Sequence, residues 1–123
     1  MKTTDPLLLV DSITEAVGRG AGALVVSGSH GGISAGRFAL QAQARLAVFN
    51  DAGVGRDEAG IAALALLQAH GVAACTVSHH SARIGQASST LEHGVISHAN
   101  AAAAALGAAP GIRLKPWLAS LAR

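Results

Sequence analysis

The sequence predicts a small three-layer α/β/α sandwich built on a mostly parallel sheet of three to four strands. Apolar runs at residues 23–26, 46–49 and 73–77 each break abruptly into small polar residues, as buried strands do where they leave a sheet. Stretches with helical apolar spacing separate these runs. The connections are too long for hairpins, so parallel strands joined by right-handed crossovers are expected.

The first elements are short. Residues 7–10 form an apolar run that predicts a first strand. Ser12 and Glu15 fit the Ser-x-x-Glu capping pattern, which predicts a helix start. Glycine at every second position over 18–22 costs a helix about 1 kcal/mol per residue relative to alanine. We therefore expect a brief helix and then a turn into the central strand.

The middle of the chain alternates helix and strand. Helix formers over 33–44 predict a helix, with Gly31 and Gly32 at its start. Arg45 begins the next strand, and a second helix runs to about His70, with Asp57 and Glu58 in its first turn. That helix is apolar around much of its circumference, so a second subunit is expected to cover part of it. Gly71 ends it, and a strand follows at 72–77.

The last third is predicted as one long helix and a tail. Ser89 opens the helix through a second capping pattern, and Gly107 stops it after about Leu106, with Gly94 inside. Residues 108–123 have little periodicity and are expected to lie over their own subunit or a neighbour. The length of 123 residues suits one domain, 1–123. A narrow sheet also favours a homo-oligomer.

Composition excludes several function classes. The formal charge is only +2, with basic residues scattered along the chain and two Phe and one Trp as the aromatic residues, so nucleic-acid binding is not expected. No apolar run approaches the ~20 residues of a membrane span, and the first residues lack the charged and then apolar pattern of a secretory signal. A single cysteine, Cys75, excludes an internal disulfide and a cysteine-rich zinc site. A cytoplasmic protein is expected.

Polar side chains that could bind or react follow three predicted strands, where the carboxyl ends of a parallel sheet bind ligands. A Rossmann-like or flavodoxin-like arrangement would gather them along one edge, near the point where the strand order reverses. They are Ser27, Ser29 and His30; Asn50 and Asp51; and Ser78, His79, His80, Ser81 and Arg83.

Ser29, Gly31 and Gly32 resemble a cradle for an anion, because glycines let successive amides point inward beside a helix start. The pattern matches neither dinucleotide nor phosphate-loop motifs, so a carboxylate or single phosphate is the expected ligand. Arg83 could supply a planar fork for it, and Asn50, His79 and Ser81 complete the expected binding set. Alternatively, the glycines only form a tight turn, and Arg83 is a solvated surface residue.

His30 is the expected general acid or base, because its unperturbed pKa lies nearest neutrality, and Asp51 is expected to orient it or act as base. A serine nucleophile, the remaining member of an acyl-transfer triad, is only weakly supported by the sequence. Adjacent histidines on a regular strand point to opposite faces, so at most one of His79 and His80 would face the site. No metal or cofactor is expected.

These observations predict a small anionic metabolite at the carboxyl edge of the sheet and an acid/base enzyme of the hydrolase, lyase or isomerase type. The alternative is a non-catalytic ligand-binding or regulatory oligomeric module that uses the same edge.

Overall fold

The computed structural model describes residues 6–121. Five strands form one sheet in sequential order. The first four are parallel, and the last is antiparallel to the fourth. The strands are β1 (Leu7–Val10), β2 (Leu24–His30), β3 (Leu46–Asn50), β4 (Ala73–Val77) and β5 (Ile96–Ala99).

Helices cover both faces of this sheet. The α-helices are α1 (Ile33–Ala42), α2 (Ala62–Ala69), α3 (Ala87–His93), α4 (Ala101–Ala105) and α5 (Leu114–Leu121). Two 3-10 helices, Ile13–Ala16 and Arg56–Ile61, complete the set in the described part of the chain.

Two buried apolar clusters on opposite faces of the sheet confirm the three-layer sandwich. Alternate strand residues such as Val25 and Ala47 pack with α1, α2 and the first 3-10 helix. Their neighbours, such as Val26 and Val48, pack with α3, α4 and α5. The β-strand period of two thus divides the core between two helical layers.

The sequential strand order explains which helices share a face. Each of β2, β3 and β4 is added on the same side of its predecessor, so right-handed crossovers place all three connections on one face. The order has no reversal, so the topological switch point of Rossmann and flavodoxin folds is absent among the described strands.

The short first elements match the sequence prediction. Residues 7–10 form β1, as predicted. Ser12 and Glu15 form the expected capping box at the start of the first 3-10 helix. The glycine at the end of the second long helix is also where it was expected, since His70 is the C-cap of α2 and Gly71 has φ +73°.

Asp57 and Glu58 differ from their predicted position. They were expected in the first turn of the helix that is now α2, but α2 begins at Ala62. Both residues instead have left-handed backbone conformations, with φ +54° and +58°. They lie at a kink inside the 3-10 segment Arg56–Ile61, which precedes α2.

The long helix predicted from Ser89 to about Leu106 is wrong, and the sheet accordingly has five strands where three to four were expected. Gly94 ends α3, and a Cβ there would meet the Thr90 carbonyl and the Val77 side chain. The Ile96 N–H donates to the Ile112 carbonyl, the Gly111 N–H donates to the Ile96 carbonyl, and β5 pairs with β4, so residues 96–99 are held extended. These contacts are distant in sequence, so local periodicity does not reveal them.

Much of the expected tail is a helix. Trp117 and Leu118 of α5 are buried against the second face of the sheet, and the Trp117 indole donates to the Leu106 carbonyl at 3.0 Å. Residues 122–123 of the predicted tail lie outside the described residues. The segment therefore supplies part of the core of its own chain.

Among residues 6–121, none of the helices has the length and apolar character needed to cross a lipid bilayer. The expectation that no secretory signal begins the chain rests partly on residues 2–5, which lie outside that range.

Candidate functional site

The carboxyl ends of β2, β3 and β4 lie side by side, because these strands are parallel neighbours. Residues 78–86 cross this edge from the end of β4 toward β2, where the Gly85 N–H donates to the Gly28 carbonyl at 2.7 Å. A Cβ on Gly28 would collide with the backbone of Gly85 and Gln86. The crossing segment is therefore packed directly against the end of β2.

A cleft of about 630 Å³ opens between this crossing segment and the loop after β3. Its volume suits a small metabolite. Its lining combines imidazole, guanidinium, hydroxyl and amide groups with a few apolar side chains. The lining residues are Asn50, Ala52, His79, His80, Ser81, Ala82, Arg83, Ile84 and Ser89.

Asp51 and His79 form the principal polar pair beside the cleft. The Asp51 Oδ1 atom accepts from the His79 backbone N–H at 3.1 Å and lies 3.2 Å from the ring Nδ1. The Asp51 side chain is only 7% exposed, whereas the His79 side chain is 43% exposed. A buried carboxylate thus anchors an imidazole that reaches solvent.

Burial raises the pKa of Asp51, but hydrogen bonds from the Gly53 N–H, the Ser97 hydroxyl and the two His79 groups outweigh it. The net effect lowers the Asp51 pKa from its ordinary value. Asp51 is therefore ionised at neutral pH and can only accept hydrogen bonds. The His79 Nδ1 must then carry the proton of their shared hydrogen bond.

Two neighbours hold the His79 ring in place. The ring centroids of His79 and His80 are 3.8 Å apart. On another side, a Cβ built on Gly53 would lie 3.4 Å from His79 Cε1 and 3.6 Å from Nε2, and Gly53 has φ +77°. A side chain at position 53 would therefore be strained and would crowd the Nε2 atom.

Asn50 joins the two loops that form the cleft. Its side chain is fully buried, donates to the Ala82 carbonyl at 3.1 Å and accepts from the Ala52 N–H at 2.8 Å. The Asn50 amide therefore links the segments that follow β3 and β4.

Ser81 and Arg83 lie on the crossing segment. The Ser81 hydroxyl donates to the Ser78 carbonyl at 2.7 Å and accepts from the Val95 N–H at 2.9 Å. The Arg83 backbone N–H donates to Ser89 Oγ at 2.8 Å, which fixes the loop. The exposed Arg83 guanidinium has no hydrogen bond or ion pair with any residue in the described range.

His30 and Ser29 line a different, smaller pocket of about 150 Å³, together with residues of α1 and the first 3-10 helix. The Ser29 hydroxyl accepts from the Ile13 N–H at 2.9 Å. His30 is exposed. The structure thus pairs Asp51 with His79, and no hydrogen bond joins Asp51 to His30 within residues 6–121.

The glycines after β2 pack closely against their neighbours. The Gly31 N–H donates to the Asn50 carbonyl at 3.0 Å, so it is not free to bind an anion. A Cβ at Gly31 would lie 2.6 Å from the Gly60 carbonyl oxygen, and one at Gly32 would lie 2.8 Å from the His30 ring. This geometry matches the tight-turn alternative, and anion binding by these residues stays a prediction.

His79 and His80 both line the cleft, although a regular strand would send them to opposite faces. Both residues follow the last strand residue, Val77, and lie in a turn, where strand alternation no longer applies. The expectation that at most one of the two histidines faces the site applied to a regular strand, and these residues lie beyond the strand end.

Few of the described side chains suit nucleophilic or metal chemistry. Burial raises the pKa of the fully buried Cys75 thiol to about 12. Across residues 6–121, no cluster of three or more His, Cys, Asp and Glu side chains is suited to a metal ion. The groups that the cleft offers are an imidazole whose Nδ1 is engaged by a carboxylate and an arginine with no side-chain partner among residues 6–121.

Sequence reasoning missed Gly53 and Ser97 as parts of the site. Gly53 could have been noticed because it follows a strand end by only a few residues. Ser97 had no local signal, since its role depends on β5, which was predicted as helix.

The sequence matches no protein-family model, and no curated protein or solved structure is significantly similar to it.

Proposed function

We propose that this chain binds a small anionic metabolite, a carboxylate or single phosphate, in the cleft between residues 78–86 and the loop after β3. In this proposal His79, oriented by Asp51, exchanges a proton with the bound molecule. The observation that carries it is the Asp51–His79 pair at 3.2 Å, buried at the carboxylate and open to the cleft at the imidazole.

Arg83 supports the choice of an anion. Arg83 lines the same cleft, its side chain has no hydrogen bond or ion pair with another described residue, and its backbone is fixed by Ser89. A guanidinium offers a rigid planar fork that matches a carboxylate or phosphate. No acidic side chain is among the residues that line the cleft.

His79 supports the choice of proton transfer. Because Asp51 is ionised and accepts from Nδ1, the neutral His79 ring has its lone pair on Nε2, the nitrogen that Asp51 does not engage. An imidazole oriented in this way can act as a general base when it is neutral and as a general acid when it is protonated.

Lyase or isomerase chemistry fits the cleft better than hydrolysis through a side-chain nucleophile. The hydroxyl of Ser81 is committed to the Ser78 carbonyl, and Cys75 is fully buried. An imidazole that abstracts a proton from carbon needs neither group. The role that the sequence suggested for His30 passes to His79 in this proposal.

Orthophosphate binding followed by NMR of the histidine rings tests the ligand. We expect phosphate to shift the His79 and His80 signals, and Arg83→Gln to weaken binding by roughly tenfold, the loss expected for a charge-assisted hydrogen bond. His30→Gln is the matched control and should bind like the wild type. Binding that is lost in His30→Gln and retained in Arg83→Gln would move the site to the other pocket.

Exchange in heavy water tests the chemistry. A panel of small carboxylic acids and phosphate esters is incubated with the protein, and deuterium incorporation at carbon is followed. Incorporation with the wild type that is lost in both His79→Gln and Asp51→Asn supports the enzyme. Incorporation that persists in His79→Gln contradicts it.

A non-catalytic binding or regulatory module is the second candidate. One observation favours it: apart from the histidines and Arg83, the cleft lining has no ionisable side chain to act opposite His79. Anion binding with no exchange on any panel member would support this alternative.

We also propose that the protein forms a homo-oligomer in the cytoplasm. Leu7 and Leu9 are 45% and 41% exposed and occupy alternate positions of β1, at the edge of the sheet. Exposed apolar residues on an open edge strand favour association with a second chain. The free, buried thiol of Cys75 suits a reducing compartment.

A further inference from the structure

We infer that the ligand of the cleft is a small phosphodiester with a hydroxyl-bearing arm, because a second cavity, lined by hydrogen-bonding side chains, adjoins the cleft at Arg83 and Ser89. This inference deepens the proposed function and rests on it. It assigns the phosphate to Arg83 and Ser89, and one ester arm to each of the two cavities.

The second cavity, which we call the side cavity, has a volume of about 290 Å³. It is lined by Arg83, Gln86, Ser88, Ser89, Glu92 and His93. Two of these residues, Arg83 and Ser89, also line the cleft. They therefore lie at the boundary between the two cavities, and a group bound to them has open space on both sides.

Ser89 offers a hydrogen-bond donor at this boundary. Its Oγ atom accepts from the Arg83 backbone N–H at 2.8 Å, and its hydroxyl proton has no acceptor among residues 6–121. The Arg83 side chain has no hydrogen bond or ion pair in that range either. Two neighbouring residues thus present unused donors, one of them charged, which match the oxygens of a phosphate group.

The position of these donors between two cavities favours a phosphate with two substituents. A carboxylate or a phosphate monoester is attached to the rest of its molecule through a single bond. When bound at Arg83, such a group directs its molecule into the cleft or into the side cavity and leaves the other to water. A phosphodiester fills both cavities and keeps one negative charge for the guanidinium.

The lining of the side cavity indicates an arm that carries hydroxyl groups. Gln86, Ser88 and His93 are exposed, and their side chains have no hydrogen-bond partner among residues 6–121. None of the described residues that line this cavity has a hydrocarbon side chain. Amide, hydroxyl and imidazole groups exchange hydrogen bonds with hydroxyls, so a glycerol-like or sugar-like arm fits this cavity.

Glu92 favours a neutral arm in the side cavity over a second phosphate. Both of its carboxylate oxygens lie 2.9 Å from Lys115 Nζ, so its charge is paired and opposes the phosphate at the boundary less. Its remaining lone pairs can accept from hydroxyl groups but not from another phosphate. The ligand therefore carries a single phosphate, between its two arms.

The wall of the side cavity is held in place by the protein itself. The Ala87 N–H donates to Asp11 Oδ1 at 2.9 Å, and the Gly85 N–H donates to the Gly28 carbonyl at 2.7 Å. These bonds join the wall to the loop after β1 and to β2. A site that is ordered before binding loses less conformational entropy when the ligand arrives.

Histidine NMR with defined phosphates tests the inference. Dimethyl phosphate and diglycerol phosphate carry the same single charge, and only the second has hydroxyl groups on its arms. We expect diglycerol phosphate to shift the ring signals of His79 and His80 in the cleft and of His93 in the side cavity. Orthophosphate, which has no arm, should leave His93 unchanged. Diglycerol phosphate should also bind roughly tenfold tighter than dimethyl phosphate, the gain of about two neutral hydrogen bonds.

Two variants separate the arm from the phosphate. Gln86→Ala should weaken diglycerol phosphate roughly fivefold more than dimethyl phosphate, because one neutral hydrogen bond to the arm is lost. Ser89→Ala should weaken both diesters by the same factor. Gln41→Ala, at an exposed glutamine of α1, is the matched control and should bind both diesters like the wild type.

Diglycerol phosphate that binds no tighter than dimethyl phosphate, or that leaves His93 unshifted, would overturn the inference. Its failure is distinguishable from failure of the proposed function. Orthophosphate binding that is weakened in Arg83→Gln, with no preference between the two diesters, keeps the proposed function and removes the phosphodiester. Binding of every phosphate that is unchanged in Arg83→Gln removes the anion site itself, and the inference with it.

Discussion

Asp51 accepts two hydrogen bonds from one residue, because both the backbone N–H and the ring Nδ1 of His79 lie within 3.2 Å of its Oδ1 atom. The backbone contact fixes where the turn after β4 begins, and the ring contact fixes the direction of the imidazole. One buried carboxylate thus holds both the turn after β4 and the imidazole that extends from it.

Asp51→Asn should destabilise the protein by about 3 kcal/mol, because the amide nitrogen would face N–H donors and leave buried groups unpaired. Urea unfolding at neutral pH measures the change. Asp57→Asn, at an exposed carboxylate, should stay within about 0.5 kcal/mol of the wild type. Equal effects of the two variants would contradict the assigned role of Asp51.

The difference in unfolding free energy between the wild type and Asp51→Asn should depend on pH. The folded-state pKa of Asp51 is lowered from 3.8, so its stabilising contribution is fully present above that pH and is lost as the pH falls through the folded pKa. The unfolding free energies of wild type and Asp51→Asn should therefore converge in acid. If the two unfolding free energies instead converged as the pH rose above neutrality, the lowered pKa of Asp51 would be contradicted.

Gly28→Ala should cost about 2–4 kcal/mol, because the new methyl group would meet the backbone of Gly85 and Gln86, which cannot move aside as a side chain can. Gly18→Ala is the matched control. Position 18 has φ +83° and open space around it, so only about 1 kcal/mol of backbone strain is expected there. Thermal or urea unfolding of both variants measures the difference.

Cys75 should react with a thiol reagent only when the protein unfolds. Its pKa of about 12, against an ordinary value of 9.0, makes the thiolate fraction about a thousandfold smaller, and the side chain has no solvent exposure. Reaction rates with and without denaturing urea measure the effect. Rapid modification of the native protein would show that β4 is more accessible than its position implies.

Leu9→Lys should convert the proposed oligomer to a monomer, because a lysine on an open strand edge opposes pairing with another chain. Light scattering after size-exclusion chromatography measures the mass. Ile112→Lys is the control, since Ile112 is 37% exposed beside β5 at the opposite edge of the sheet. A mass that falls only in the control would place the interface at that edge.

The parallel part of the fold could be predicted because its signals are local. Apolar runs such as residues 46–49 break into polar residues at strand ends, and capping residues such as Ser12 mark helix starts. The same signals predict that Asp51, His79 and Arg83 lie on one edge of the sheet. They could not say which histidine meets Asp51, because that depends on how two loops pack.

The antiparallel strand could not be predicted, for a physical reason. Leu91, Val95 and Ala99 continue a helical spacing through Gly94, and alanine-rich sequence favours a helix. The extended conformation of β5 is stabilised by pairing with β4 and with residues 111–113. Ser97 was missed for the same reason, since its contacts with Thr76 and Asp51 exist only once β5 has paired.

The strand order has a consequence for how the molecule assembles. Each of β2, β3 and β4 pairs with the strand synthesised just before it, so most of the parallel layer can form while the chain is still growing. The last strand must wait until α3 has crossed to the other side. The segment that carries His79 is therefore completed late, because the Ser78 N–H and the Ser81 hydroxyl both bond to the backbone of Val95, just before β5. A chain that ended after β4 would have the parallel layer before the finished cleft.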